Sequence, residues 1–210
     1  GLFFWDAADS YGSHPHLREA LKRVPREKVA IMTKSFSRTA EGMRKDIDRF
    51  RREVGSDYFD ILLLHCVTRA DWPDECKGAM DVVSEMREKG VIRTHGVSCH
   101  TIEALKTASK TDWVKVSLAR INFAGANMDA DPKTVLAVLG GMKAAGKGVI
   151  GMKILGEGVL KNRIDQALQF ALSQKTIDCF TIGAENRYEL ADLISRIPKA
   201  AVASNIPQAA

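Results

Sequence analysis

Short apolar runs rich in β-branched and aromatic residues alternate with longer amphipathic stretches along almost the whole chain. The runs have the length of strands, and the stretches carry apolar residues at the three- and four-residue spacing of a helix that packs on one face. Strands are predicted at residues 2–7, 29–34, 59–65, 94–98, 114–122, 148–154 and 179–183, and helices at 17–24, 42–54, 74–89, 102–108, 132–145, 163–173 and 187–197. Such alternation predicts a parallel sheet with helices packed outside it.

The regularity of these seven units indicates the class of fold. No break in composition divides the chain, and the G-x-G-x-x-G fingerprint of an open dinucleotide-binding sheet does not follow the first run. The sequence therefore predicts one α/β domain over residues 1–199, a (β/α)8 TIM barrel that lacks its first strand–helix unit. Residues 200–210 are low in complexity, and we expect them to form a flexible tail.

Charge and cysteine content argue against several classes of function. The 210 residues carry a formal net charge of +5, but basic and acidic residues are interspersed, so we expect no nucleic-acid surface. No apolar run approaches the roughly 20 residues of a membrane span, and the four cysteines lack the spacing of a zinc site. We expect a cytoplasmic protein without a metal. The chain opens without Met on an apolar run, which suggests an N-terminal truncation and leaves a lost leader open.

Ionisable residues close three consecutive predicted strands. Asp6, Lys34 and His65 each end an apolar run, and catalytic groups of barrels lie at the carboxyl ends of the strands. Tyr11 follows in a short loop of small residues that can fold the phenol back over the rim. Because an ammonium favours a phenolate, we expect Lys34 to lower the pKa of Tyr11.

The four side chains together suggest carbonyl chemistry. Asp6 would hold Lys34 in place, and His65 would orient a substrate carbonyl oxygen. Tyr11 would then donate a proton to that oxygen. Nothing in the sequence supplies a hydride, so the reaction requires a cofactor.

Six segments, taken in order, resemble the aldo-keto reductase family. The similarity runs from residue 2 to about residue 197, and any single motif is weak, whereas their shared order is specific. The segments are Phe3-Phe4-Trp5-Asp6-Ala7-Ala8-Asp9-Ser10-Tyr11-Gly12, Val29-Ala30-Ile31-Met32-Thr33-Lys34, Tyr58-Phe59-Asp60-Ile61-Leu62-Leu63-Leu64-His65, Lys89-Gly90-Val91-Ile92-Arg93 with Gly96-Val97-Ser98, Gly148-Val149-Ile150-Gly151-Met152-Lys153 with Gly156 and Gly158, and Cys179-Phe180-Thr181-Ile182-Gly183 with Asn186-Arg187-Tyr188-Glu189-Leu190.

The resemblance implies an NAD(P)H-dependent oxidoreductase that reduces an aldehyde or ketone. Tyr11 would be the proton donor, with Asp6, Lys34 and His65 as its catalytic partners. Ser98 would contact the nicotinamide carboxamide, and Arg187 would meet a ribose phosphate if the cofactor is NADPH, with NADH as the other candidate. The other cofactor-binding residues implied are Leu155, Gly156, Gly158 and Gly183.

The sequence also departs from the family pattern. Cys99, followed by His100, replaces the usual Asn after Ser98, Leu118 takes the place of a Gln, and Met152 that of an aromatic residue. By the resemblance, these three positions surround the nicotinamide, so we expect its contacts to differ from those usual in the family. A barrel with one unit absent would also expose unpaired strand edges, through which the chain would self-associate.

Two other functions stay open. A reductase-like barrel can bind the cofactor as a sensor or regulatory subunit without significant catalysis, because a fold does not determine a function. A less favoured reading is a metal-dependent amidohydrolase, in which an early H-x-H element supplies metal ligands. The residues that suggest this reading are His14, His16, Lys34, His65, and His95 or His100.

Overall fold

In the computed structural model, which describes residues 2–204, seven strands alternate with α-helices. The strands are β1 (Phe4–Asp6), β2 (Ala30–Ser35), β3 (Phe59–Val67), β4 (Ile92–Cys99), β5 (Val116–Arg120), β6 (Gly148–Met152) and β7 (Cys179–Phe180). The helices are α1 (His14–Leu21), α2 (Ala40–Val54), α3 (Trp72–Glu75), α4 (Lys77–Glu88), α5 (Ile102–Lys110), α6 (Pro132–Ala144), α7 (Ile164–Ser173) and α8 (Arg187–Ser204). Within the described residues, none of these helices is both long and apolar enough to cross a membrane.

The sheet confirms the predicted fold class. The strands lie side by side in chain order, and each is parallel to the next. Within residues 2–204, β1 and β7 are the outer strands, so the sheet curls as part of a TIM barrel that lacks one unit. Leu2 and Phe3, next to the outer strand β1, are 49% and 65% exposed. Self-association through this edge stays a prediction.

Two apolar layers hold the sheet in place. Side chains on the outer face of the strands, such as Ile31 and Leu62, pack against helix residues such as Phe50. A smaller cluster fills the inner face, and because successive side chains of a strand alternate between faces, Met32 and Lys34 share that inner side. The inner cluster comprises Met32, Leu63, Val116, Leu118, Ile150 and Met152.

Several elements end at other residues than the sequence predicted. Helix α1 begins at His14, three residues early, because the buried His14 ring is hydrogen-bonded to Glu53 and Thr33 and Pro15 occupies the first turn. Strand β5 ends at Arg120 because the side chain of Asn122 organises the following loop, accepting hydrogen bonds from the Ala124 and Ala126 amides.

The predicted tail requires a correction. Helix α8 continues to Ser204, so residues 200–204 are helical where the sequence predicted a flexible segment from residue 200. Ala200 is buried, which explains why the helix extends past residue 199: packing of one apolar side chain outweighs the low complexity of the segment. Residues 205–210 lie outside the described residues.

Gly96 permits the close approach of β4 and β5. A Cβ atom at this position would lie 1.7 Å from the carbonyl oxygen of Val116. We expect Gly96→Ala to lower the free energy of unfolding by about 3 kcal/mol or more, since two paired backbones would have to separate. The measurement is urea unfolding followed by circular dichroism.

Gly141, inside helix α6, provides the matched control. A Cβ atom there meets nothing within 4 Å, so Gly141→Ala should stabilise the fold by about 0.5–1 kcal/mol through helix propensity. Equal changes in the free energy of unfolding for the two substitutions would contradict the conclusion that β4 and β5 need glycine at position 96 to approach each other.

Candidate active site

A buried ion pair lies at the carboxyl ends of β1 and β2. The side chain of Lys34 is 1% exposed, and its ammonium donates hydrogen bonds to the Asp6 carboxylate and to the carbonyl oxygen of Ala7, the latter at 2.9 Å. Loss of solvent lowers the pKa of Lys34 and raises that of Asp6, while the attraction between the two charges opposes both shifts. The structure therefore brings together the first two of the predicted site residues.

Tyr11 lies over this ion pair, on the short turn Asp9–Tyr11. The Lys34 ammonium is 4.8 Å from the centre of the phenol ring, and its described hydrogen bonds go to Asp6 and Ala7. The expectation that Lys34 lowers the pKa of Tyr11 is wrong for this structure. Desolvation raises that pKa first, and the negative charge of Asp6 raises it further.

His65 completes the predicted set of four. Its ring stands edge-on to that of Tyr11, with 5.7 Å between centroids, and stacks on Phe36 at 4.3 Å. Desolvation, together with the Lys34 charge and those of other cations, lowers the pKa of His65 to about 3. A neutral imidazole carries one N–H, so His65 can donate a hydrogen bond to a carbonyl oxygen without a change of charge.

A cleft of about 750 Å³ opens beside these side chains. Asp6 and Tyr11 line one end of it, and Leu118 and Met152 give it an apolar floor there. The loops that follow β6 and β7 and the first turns of helix α8 form the remaining walls. Its volume lies within the usual range of cofactor and ligand sites.

The loop after β6 is held rigidly against the loop after β5. Asn122 Nδ2 donates to the carbonyl oxygens of Ala126 and Lys153, at 2.8 and 3.2 Å. Gly156 has a φ of 57°, and a Cβ atom there would lie 2.9 Å from Ala126 Cβ. Only glycine fits this position, because it needs both left-handed backbone and a close approach.

The predicted cofactor residues fall into two groups. Leu155, Gly158 and Gly183 line the cleft. Gly156 is the buried first residue of the turn Gly156–Gly158. This open, glycine-rich wall beside a catalytic rim fits a dinucleotide. Arg187 is not among the cleft-lining residues: it is exposed and donates a hydrogen bond to the Tyr188 hydroxyl at 2.8 Å.

Ser98 is buried at the end of β4 and is hydrogen-bonded to His100 Nε2 at 3.3 Å. Arg120 donates to His100 Nδ1 and forms an ion pair of 3.3 Å with Asp129. Because a guanidinium only donates, His100 carries its proton on Nε2 and donates it to the Ser98 hydroxyl. Desolvation and the Arg120 charge lower the pKa of His100 to about 4, in keeping with a neutral ring.

The sequence pointed to His100 only as a departure from the family pattern and as a candidate metal ligand, and it gave no sign of Arg120 or Asp129. The alternation of side chains along a strand could have indicated that His100 neighbours Ser98, because residues two apart share a face. Cys99 points to the opposite side and is fully buried in the outer apolar layer. His100 therefore replaces Cys99 as the polar neighbour of Ser98.

The histidines of the metal-dependent hypothesis form no common site: the rings of His65 and His100 lie 6.4 Å apart, but the other three lie elsewhere. Both ring nitrogens of His14 are hydrogen-bonded within the protein, to Glu53 at 2.7 Å and to Thr33 at 2.8 Å, while His16 is exposed. His95 packs against Trp113, at 4.4 Å between ring centroids. Because Trp113 precedes the first residue of β5, this contact lies toward the amino end of the sheet. Among the residues that the structure describes, no group of three or more His, Cys, Asp or Glu side chains is placed to hold a metal ion.

Comparison with known proteins gives the family. The sequence model described as the Aldo/keto reductase family matches residues 1–203, and the chain belongs to that family. Its members are oxidoreductases. Among curated proteins, L-galactose dehydrogenase of Arabidopsis thaliana is 25% identical over 171 residues, which cover 76% of this chain and 53% of the relative. The chain thus spans about half the length of this relative.

Solved structures agree on the fold. An aldo-keto reductase of Bacillus halodurans in its holo form has a TM-score of 0.74 at 17% identity, over 95% of this chain and 76% of the other. An aldo-keto reductase of Klebsiella pneumoniae in complex with NADPH has a TM-score of 0.73 at 18% identity, over 96% of this chain and 75% of the other. At these identities the likeness establishes the barrel architecture.

The neutral, buried His65 makes stability depend on pH. An unfolded histidine binds a proton below its ordinary pKa of 6.5, whereas folded His65 binds one only near pH 3. Between these values the unfolded state binds more protons, so stability is lost as pH falls. We expect His65 to contribute about 1–2 kcal/mol to the difference in unfolding free energy between pH 7 and pH 5.

Urea unfolding of wild type and His65→Gln at both pH values measures this contribution. The variant should show the smaller difference. His16→Gln, at an exposed position of α1, is the control and should behave as wild type. An unchanged pH dependence in His65→Gln would show that the ring is solvated or charged in the folded protein.

Proposed function

We propose that the chain is an NADPH-dependent carbonyl reductase, in which Tyr11 donates the proton and the cofactor the hydride. The observation that carries this proposal is the placement of Tyr11 over the buried Lys34–Asp6 pair, at one end of a cleft whose walls include the glycine loop after β6. An aldehyde or ketone is the substrate class that such a donor and a neutral imidazole can polarise together.

The cluster stabilises charge as the proton leaves Tyr11. The phenol begins protonated, as its raised pKa requires. As negative charge grows on the phenol oxygen, the ammonium of Lys34 is the cation that offsets it, and Asp6 keeps that cation in position. His65 donates a hydrogen bond to the substrate oxygen and, being neutral, leaves the net charge of the site unchanged.

The dinucleotide, when bound, supplies the hydride, and the chain's own residues hold it. Leu155, Gly158 and Gly183 line the cleft, and a glycine-rich loop can hold phosphate oxygens through its amide groups. Ser98, which already accepts a hydrogen bond from His100, keeps its own O–H to donate to an amide oxygen. NADPH is the favoured cofactor because the family uses it, and a structural relative binds it.

The position of Arg187 keeps NADH as the other candidate. The guanidinium is exposed and pairs with Tyr188, so a ribose phosphate would have to draw it from that partner. We place the reaction in the cytoplasm, since the four thiols are free, as a reducing compartment requires.

A cofactor-binding barrel without significant catalysis is the second candidate. It is favoured by one observation: Tyr11 is 54% exposed and its pKa is raised, so its proton is held more firmly than that of a free phenol. Turnover separates the two functions. Purified chain that binds NADPH but reduces no simple aldehyde would be the sensor.

Tyr11→Phe tests the proton donor. We expect kcat for aldehyde reduction to fall by about 10²–10⁴, the usual contribution of a positioned general acid, with the Kd of NADPH unchanged. Steady-state kinetics and fluorescence titration measure the two quantities. Tyr58→Phe is the control, because Tyr58 packs between Arg26 and Arg93, away from the cleft. An equal fall of kcat in both variants would show that Tyr11 is not the proton donor.

Gly156→Ala tests the loop. The added methyl group would meet Ala126 and strain a left-handed backbone, so the wall of the cleft must shift, and we expect the Kd of NADPH to rise about tenfold or more. Gly90→Ala is the matched control, since Gly90 has a φ of 73° but lies at the end of α4 with nothing within 4 Å. A Kd that responds to neither substitution would place the cofactor elsewhere.

A further inference from the structure

A second lysine lies at the mouth of the cleft, outside the mechanism described above. Lys153 follows the last residue of β6 and lines the same cleft as Asp6 and Tyr11. Its carbonyl oxygen is fixed from two sides, by Asn122 Nδ2 at 3.2 Å and by the Gly156 amide at 2.8 Å. Its φ of 58° lies in the left-handed region, which is unfavourable for any residue except glycine. The fold thus keeps Lys153 in a strained conformation that directs it to the cleft.

The ion pair between Lys153 and Glu157 is weak enough for another anion to replace the Glu157 carboxylate. Its ammonium lies 2.7 Å from the Glu157 carboxylate, and the two side chains are 35% and 45% exposed. Ion pairs so accessible to water contribute little stability. Glu157 also has a left-handed backbone, with a φ of 57°. An anion that enters the cleft can therefore take the place of the Glu157 carboxylate at modest cost.

Charged side chains of both signs line the cleft. Near Tyr11 the Lys153 charge reaches far enough to lower the pKa of His65 and of His100, and Lys34 lies beside them. Arg38 adds to this field: it donates to the His65 carbonyl oxygen at 2.6 Å and forms no ion pair within the described residues. The lining also includes Lys161, in the loop after β6, and the acidic side chains Glu185, Glu189 and Asp192, before and in helix α8. A negatively charged substrate group would thus be attracted to the cations around His65, beside the proton donor.

We propose that Lys153 selects carbonyl substrates that carry a carboxylate, which its ammonium binds in exchange for Glu157. The proposal rests on the proposed reductase function and deepens it by naming the substrate class. A charge-assisted contact of this kind is expected to change affinity about 10- to 100-fold. Lys153 is then a specificity-determining residue, and Glu157 competes with the substrate.

The test compares two aldehydes of similar shape, 4-carboxybenzaldehyde and its methyl ester, of which only the first carries a negative charge. With saturating NADPH, wild type should show a kcat/KM at least tenfold higher for the acid. Lys153→Met should lose this preference through a higher KM for the acid, with the ester unaffected. Lys153→Arg, which keeps the charge, should retain it, and Glu157→Gln should lower the KM for the acid.

Lys133→Met is the matched control, because it removes one positive charge from an exposed position of α6. It should leave both substrates unchanged, which separates a local contact from the net charge of the protein. Circular dichroism establishes that each variant is folded.

Three outcomes would overturn the proposal, and they differ in what else they overturn. Reduction of acid and ester with equal kcat/KM by wild type removes the selectivity and leaves the reductase intact. A raised Kd of NADPH in Lys153→Met, with equal loss on both aldehydes, assigns the lysine to the cofactor. Binding of NADPH without reduction of either aldehyde removes the reductase function, and the substrate class with it.

Discussion

The buried pair of Lys34 and Asp6 is the interaction on which the site depends. A lysine ammonium that is 99% shielded from water is unfavourable unless hydrogen bonds and an opposite charge compensate it. Here the carboxylate comes from the neighbouring parallel strand, and the Ala7 carbonyl supplies a further acceptor. The register of β1 on β2 therefore decides whether the ammonium lies beneath Tyr11, and the rest of the barrel serves to hold that register.

Around this pair the fold keeps polar groups in unfavourable surroundings. His65 and His100 are held neutral by burial and by nearby cations. Lys153 and Glu157 have left-handed backbones, as does Cys66, the residue after His65. Strain and desolvation of this kind persist only where the surrounding packing is strong enough to impose them, and they gather here at the carboxyl ends of the strands, as is usual for functional sites.

Much of the fold was accessible to sequence reasoning because its signals are local. The apolar runs and amphipathic stretches identified all seven strands and their parallel order, and they placed most helix ends within a few residues. The errors lie where distant groups meet. The early start of α1 depends on Glu53 and Thr33, and the helical state of residues 200–204 depends on the burial of Ala200.

For the site, the sequence by itself determined which chemical groups reach the rim. A polar residue that ends an apolar strand emerges at the carboxyl end of a parallel sheet. Asp6, Lys34 and His65 therefore had to lie near one another. Tertiary structure alone decided how these groups are used. Burial raises the pKa of Tyr11. Contacts between separate segments decide that Arg187 lies outside the cleft and that Ser98 is linked through His100 to Arg120. Desolvation and charge–charge distances are properties of the assembled barrel, and no local pattern encodes them.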